Sequence, residues 1–390
     1  MLKIRTYNKI SPLGLNLLPK DQYEVGPELN DPDAILLRSQ KLHGEPLPES
    51  VLAIARAGAG VNNVPVDDCS KNGIVVFNTP GANANAVKEL VLSGMLLSSR
   101  GIHNGIQFVK NLTNIKDKDE FAKTLESEKK TFAGSELAGK TLGVVGLGAI
   151  GSMVADAALA LGMKVVGFDP ALSVDSAWKL SSQIQKQESL AALMSASDFV
   201  SLHVPAMEAT KNLINAEVLN SAKANTVVLN FARDAIVDSD AMIQALADNK
   251  VRLYVTDFPT PEMVSNDKIL PMPHIGASTK EAEENCAVMA ANQLRDYLEN
   301  GNIVNSVNFP RIGMSRDTEF RITFSNVNQS GVLGNVLSIL ADHKINVVDM
   351  LNKSRGELAY NIIDIDANPS TEVLQAIRAS DHVIALRVIN

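Results

Sequence analysis

Thr141-Leu142-Gly143-Val144-Val145-Gly146-Leu147-Gly148-Ala149-Ile150-Gly151 is the stretch on which the fold turns. Five residues of strand character run straight into three glycines spaced as GxGxxG, and Ala155 to Leu161 reads as a small-residue helix. A second strand, Lys164 to Phe168, ends in Asp169, 18 residues after Gly151. Strand, glycine turn, helix, strand and terminal acid together match a dinucleotide fingerprint. Gly146 permits the tight turn, Gly148 lets backbone approach a pyrophosphate, and Gly151 lets helix and strand pack closely. The helix start offers free N–H groups and a positive dipole end. Gly146, Gly148, Ala149, Ile150 and Gly151 are therefore candidate cofactor contacts. Asp169 would accept hydrogen bonds from ribose hydroxyls and repel a 2′-phosphate, which favours NAD over NADP.

Outward from this stretch, apolar runs and helical patterns alternate. Ala34–Leu37 and Ile74–Phe77 read as buried parallel strands before the break at Asn78-Thr79-Pro80-Gly81. Ala84–Ser99 reads as a largely buried helix, and residues 101–138 as a polar, lysine-rich arm with some helix. Phe199–Leu202, Thr226–Leu229 and Arg252–Val255 continue the strands. A long helix runs from about Lys280 to Leu298 and stops at Asn300-Gly301. Beyond Pro310 the order becomes strand, helix, strand, strand, helix, strand, as in a ferredoxin-like unit. The expected class is α/β: two Rossmann-like doubly wound parallel-sheet domains and a small C-terminal ferredoxin-like α+β domain. Expected bounds are 1–82 with 283–312, then 83–282, then 318–390.

The 390 residues are 45% hydrophobic and 21% charged, an ordinary globular balance. With 36 basic against 44 acidic residues the net charge is −8, which argues against a nucleic-acid partner held by a general basic field. Cys69 and Cys286 are the only cysteines, so a disulfide framework or Cys-rich zinc site is excluded, and a reducing cytoplasm fits. No metal is expected. No signal peptide or membrane-spanning run is expected either.

A second constellation follows later strand ends: Arg233 after Val227–Leu229, Glu262 after Arg252–Val255, and His274 in Pro273-His274-Ile275-Gly276. Hydride transfer at a 2-hydroxy acid needs these chemistries: a cation for the carboxylate, a base for the hydroxyl proton, and an orienter for that base. With Arg56-Ala57-Gly58-Ala59-Gly60-Val61-Asn62-Asn63-Val64, Asn78-Thr79-Pro80 and Ser201-Leu202-His203-Val204-Pro205, the chain resembles the D-isomer-specific 2-hydroxyacid dehydrogenase family over residues 1 to about 310.

The resemblance implies roles. His274 would be the acid/base, Glu262 its partner, and Arg233 the carboxylate binder that polarises the C2 oxygen. His203, Pro205, Ala232, Asp257 and Gly276 would join the glycine loop in holding NAD. Within the family the likeness is strongest to members acting on phosphorylated acids. That likeness assigns Arg38, Ser39 and Arg56 to the phosphate, and Gly58 would offer its N–H to the carboxylate. Lys88 has no assigned role. Two departures stand out: Asp234 follows the arginine where the family usually has glycine, and Pro259 and Pro261 alter the turn before Glu262.

The C-terminal segment resembles an ACT regulatory domain, with Asn326, Asn328 and Asn346 at effector positions and L-serine as the implied effector. A homodimer or homotetramer is implied, pairing through the Ala84–Ser99 helix and the ACT-like units. Two other readings stay open: a hydroxypyruvate or glyoxylate reductase, and a non-catalytic NAD-sensing regulator on the same fold.

Overall fold

The computed structural model describes residues 1–390. The chain forms two compact units, Met1–Asn83 with Thr279–Asn390, and Ala84–Ser278.

In the first unit, β1 (Leu2–Thr6), β2 (Tyr23–Gly26), β3 (Ala34–Leu37), β4 (Ala53–Arg56) and β5 (Val75–Phe77) make a parallel sheet ordered β2-β1-β3-β4-β5. Both faces are covered, so the strands are near-continuous apolar runs. Ala34 and Leu36 face one core and Ile35 and Leu37 the other. The first core is completed by Ala287, Ala290, Ala291, Leu294 and Leu298 of the Lys280–Asn300 helix. Thr279 caps that helix by accepting from the Ala282 N–H at 3.1 Å, and left-handed Gly301 ends it.

In the second unit, β6 (Thr141–Val145), β7 (Lys164–Phe168), β8 (Ile184–Lys186), β9 (Phe199–Leu202), β10 (Thr226–Asn230), β11 (Val251–Thr256) and β12 (Ile269–Pro271) form a wholly parallel sheet. Its order, β12-β11-β10-β9-β6-β7-β8, is that of a dinucleotide fold. The helix after the glycine loop spans Ala149–Ala160, starting six residues before the expected Ala155. The glycine turn itself is the helix start, which the small-residue pattern alone did not mark. The Ala84–Ser99 helix lies close on this sheet: a Cβ at Gly94 would stand 3.1–3.3 Å from Phe231, Val255 and Leu229.

The third sheet, within the first unit, holds β13 (Phe320–Val327), β14 (Val347–Arg355), β15 (Leu358–Ile365) and β16 (Val383–Ile389) in the antiparallel order β14-β15-β13-β16. One face packs on the Val332–Asp342 and Thr371–Arg378 helices through Ile322, Phe324, Ile363 and Val336. The other face meets the end of the long helix. Arg321, fully buried, donates to both Asp364 oxygens at 2.6 and 2.9 Å and to the carbonyls of Asn300, Met314 and Ser315. Arg387 donates to the Tyr297 and Leu298 carbonyls, and the Tyr360 hydroxyl donates to Gly301 O. The Leu298, Asn300 and Gly301 carbonyls, which lie past the last intrahelical donor, are satisfied in this way, and Tyr297 O gains a second donor besides the Gly301 N–H.

Removing one member of a buried pair strands the other charge. Arg321→Ala is expected to lower unfolding free energy by about 3–5 kcal/mol, whereas Arg321→Met with Asp364→Leu recovers the share due to the stranded carboxylate but not the share due to the three carbonyls that Arg321 serves. Urea denaturation of the full chain measures both.

Candidate active site

The carboxyl ends of the second sheet's strands carry the chemistry, as open parallel sheets do. After β6, Gly146 adopts φ +90° and its N–H donates to Phe168 O at 2.9 Å. A Cβ on Gly151 would lie 1.9 Å from Gly146 O, so only glycine fits where the helix crosses the turn. A Cβ on Gly148 would meet nothing, and no side chain caps the helix that begins there. This is the fit test for a pyrophosphate: open space above Gly148 and uncapped N–H groups at a helix start. Asp169 accepts from the Leu147 N–H at 2.8 Å and the Ala171 N–H at 3.0 Å. It therefore fixes the glycine turn and keeps further lone pairs for ribose hydroxyls.

His203, after β9, has its backbone against Gly146, and its Nε2 lies 2.8 Å from Ser201 Oγ. Burial pushes its pKa down to about 3, so the ring is neutral and its visible contact is structural. Pro205 accepts from Thr210 Oγ1 at 2.5 Å.

After β10, buried Asn230 accepts from the Ala232 N–H and donates to Arg233 O at 2.8 Å. Asn230 thus shapes the loop that presents Arg233. The Arg233 guanidinium donates to Ala232 O at 2.6 Å and lies 5.9 Å from the centroid of the Phe258 ring. Phe258 also touches His274, whose ring centroid is 4.6 Å from its own. Phe258 is thus an aromatic link between the two predicted catalytic groups, and the sequence reading missed it. Its only signal was an aromatic residue directly after Asp257 at a strand end. Asp234 is exposed and makes no ion pair with Arg233, so the expected adjacent charge does not engage the guanidinium.

His274 sits at φ +56°, a left-handed conformation that costs a non-glycine residue on the order of 1 kcal/mol or more. The anchor is Asp257. Its buried carboxylate accepts from the Ile275 N–H at 2.8 Å and the Gly276 N–H at 2.7 Å. Two charge-assisted bonds directly after the strained residue hold it in place.

Glu262 departs from expectation. It is exposed on the Pro261–Met263 turn and makes neither a hydrogen bond nor an ion pair with His274. The Thr260 hydroxyl beside it holds its carboxyl below the usual range. Pro261 opens the turn and fixes its backbone, which leaves the carboxylate turned to Thr260 instead of the histidine.

In the first unit, Arg38 and Arg56 stand at the ends of the adjacent strands β3 and β4, where Leu37 pairs with Arg56. Arg38 is ion-paired to Glu283 at 2.7 Å. Arg56 donates to Arg38 O at 3.0 Å and to Gly60 O. The Ser39 N–H donates to Asn8 Oδ1. The expected free N–H of Gly58 is a correction: it donates to Arg56 O at 2.8 Å, closing a tight turn. Lys88 bonds Asn85 Oδ1 at 2.5 Å on its own helix.

Of the three residues expected at effector positions, Asn346 and Asn328 are exposed, and Asn328 donates to Gly356 O. Asn326 is buried instead. Its side chain donates to Val327 O and accepts from Asn361, so its carboxamide is committed within the sheet.

Unfolded His203 titrates near 6.5 and folded His203 near 3, so the unfolded chain holds the extra proton between these values. Stability is expected to fall as pH drops from 6.5 toward 3. His203→Asn should flatten the low-pH slope of the thermal midpoint, read by circular dichroism.

Residues 93–279 match the NAD-binding domain of the D-isomer-specific 2-hydroxyacid dehydrogenases. The chain is 31% identical to the D-3-phosphoglycerate dehydrogenase of Escherichia coli K12 over 393 residues, covering 95% of this chain and 90% of that one. It is 30% identical to that of Methanocaldococcus jannaschii over 88% of its own length, and spans 63% of that longer relative. The NAD+-bound 3-phosphoglycerate dehydrogenase of Entamoeba histolytica superposes with a TM-score of 0.62 at 27% identity, over 80% of this chain and 99% of the other. NAD fits the glycine turn and Asp169, and supplies the hydride acceptor for hydroxy-acid oxidation. The glycine loop, left-handed His274 and these likenesses agree: the chain belongs to the D-isomer-specific 2-hydroxyacid dehydrogenases and is an NAD-dependent enzyme.

Proposed function

We propose that the substrate is D-3-phosphoglycerate, oxidised to 3-phosphooxypyruvate, the first step of phosphorylated serine synthesis. One observation carries the phosphate: two arginines, Arg38 and Arg56, at neighbouring strand ends of the first sheet. Guanidinium pairs well with phosphate oxygens. Arg38 is held by Glu283 in a half-exposed pair worth at most about 1 kcal/mol, which a doubly charged phosphate can displace. The names of the relatives at about 30% identity support the same substrate.

In this reading Arg233 binds the carboxylate and polarises the C2 oxygen. Neutral His274 takes the hydroxyl proton in oxidation, and its protonated form returns it in reduction. Asp257 is a positioning residue, holding the loop that sets the imidazole. Glu262 completes the trio only where substrate draws it across to His274. Glu262→Gln would then shift the acidic limb of the pH–rate profile, and an unshifted limb removes it from the mechanism.

L-serine feedback through Asn328 and Asn346 belongs to the same reading, as does operation in the cytoplasm. Assembly into a homo-oligomer is supported by the Ile102–Asn111 helix, which buries no residue and exposes Ile102, Ile106 and Val109. Such an apolar stripe suits a second copy of the chain.

The test is NADH oxidation with 3-phosphohydroxypyruvate and, in parallel, with hydroxypyruvate. A strong preference for the phosphorylated acid is expected, and it should vanish in Arg38→Gln with Arg56→Gln. Equal rates would move the enzyme to the hydroxypyruvate or glyoxylate reductases. His274→Ala and Arg233→Ala should each lower turnover by about 100-fold or more. Asp257→Ala should lower kcat on the order of 100-fold with little change in KM, as expected when a catalytic group is displaced. Binding of NAD without turnover of any 2-oxo acid would leave the regulator reading standing.

A further inference from the structure

The second sheet has a charged site at each edge. A cavity of about 580 Å³ opens at the amino ends of its strands and is lined by Arg100, His103, Lys140, Asn225, Arg252 and Asp267, among others. Lys140 precedes β6, Asn225 precedes β10, Arg252 lies at the start of β11 and Asp267 precedes β12. These are the strands whose carboxyl ends carry the glycine loop, Arg233, Phe258 and His274. The cavity is therefore at the opposite edge from the chemistry.

Three cations and one carboxylate line this cavity, and Lys140 also lies within electrostatic reach of Asp198, whose carboxylate is paired with Lys223 at 2.6 Å. The side chains of Arg100, Lys140 and Arg252 make no ion pair or hydrogen bond within the chain. Arg252 is half-buried, and burial pulls its guanidinium pKa down without a counter-charge to offset it. A desolvated guanidinium without a partner is costly, and five directional donors are left unused. The carbonyl end of the Ala84–Ser99 helix contributes some negative potential, yet its last residue is already bonded: Ser99 O accepts from the Ser135 N–H. The volume lies in the range of about 300–1,000 Å³ typical of small-molecule pockets.

We propose that this cavity is a second anion site that binds a phosphate-bearing small molecule, with Arg252 and Lys140 as its principal donors. Arg100 closes the rim and Asp267 sets a limit on how far the anion extends.

The probe is inorganic pyrophosphate, titrated by calorimetry into the full chain saturated with NADH, so that the glycine loop is filled. Arg252→Gln and Lys140→Gln should each weaken binding about ten-fold, the loss expected for a charge-assisted contact. Arg38→Gln should leave that site unchanged. Thermal midpoints equal to that of the parent chain show that the variants fold, and Lys140→Gln stands alone if Arg252→Gln does not. The proposal is overturned if both variants bind pyrophosphate like the parent, or if binding is lost only in Arg38→Gln. It is also overturned if Arg252→Gln alters the sedimenting mass and not the binding, since a second copy of the chain would then be what fills the cavity.

Discussion

The last turn of the Lys280–Asn300 helix is the joint on which the first unit depends. A helix end leaves carbonyls without intrahelical partners, and burying them unpaired would be prohibitive. Here the carbonyl oxygens of Tyr297, Leu298, Asn300 and Gly301 all accept from groups of the third sheet: Arg387, Arg321 and Tyr360. Two cations at the negative end of a helix dipole add electrostatic gain to the hydrogen bonds. Gly301 is required twice over, for its left-handed turn and because a Cβ there would strike Thr323 at 2.5 Å. The same helix lines the core of the first sheet with Ala287, Ala290, Ala291 and Leu294. Anything that moves the third sheet therefore pulls on a helix that the parallel sheet is built against.

The second unit solves a different problem. Its strand ends must hold reactive groups in conformations that the chain would not choose. Polar side chains do this work in pairs with backbone groups: buried Asn230 for the Arg233 loop, half-buried Asp169 for the glycine turn, buried Asp257 for the His274 loop. The left-handed histidine illustrates the logic. Strain at one residue is offset by two short bonds to the next two amides, and the carboxylate that makes them is itself fixed by the Asp257 N–H donating to Asn230 O at 3.1 Å. Residue 230 thus serves both loops, the Arg233 loop through its carboxamide and the His274 loop through its main-chain carbonyl.

Much of this was legible in the residues. Apolar runs and glycine spacing marked the strands around Gly146 and the helix Ala84–Ser99, because local pattern and burial coincide there. What escaped was orientation. That Asp257 grips the Ile275 and Gly276 amides, that Phe258 lies beside both Arg233 and His274, and that Glu262 lies next to the Thr260 hydroxyl depend on three-dimensional placement. Residue identity records none of these. The Gly58 N–H was misread for the same reason, since a two-residue turn back to Arg56 has no compositional mark. Nor does residue identity show that the Asn326 carboxamide is taken up within the sheet, by Val327 O and Asn361.

That carboxamide row explains how the third sheet keeps its register. Apolar alternation tells which face of a strand is buried, but a slip of two residues preserves it. Polar pairs do not tolerate such a slip. Asn352 Nδ2 donates to Asn361 Oδ1 at 2.6 Å, and Asn361 Nδ2 donates to Asn326 Oδ1 at 2.8 Å, so one row ties β14, β15 and β13. On the opposite face Arg321 pairs across the same two strands with Asp364. Moving β15 by two residues would leave Asn361, Asp364 and Arg321 buried and unpaired at once, a penalty far beyond the apolar contacts regained. The polar residues of this sheet therefore specify its alignment, and with it the position of every group that caps the long helix.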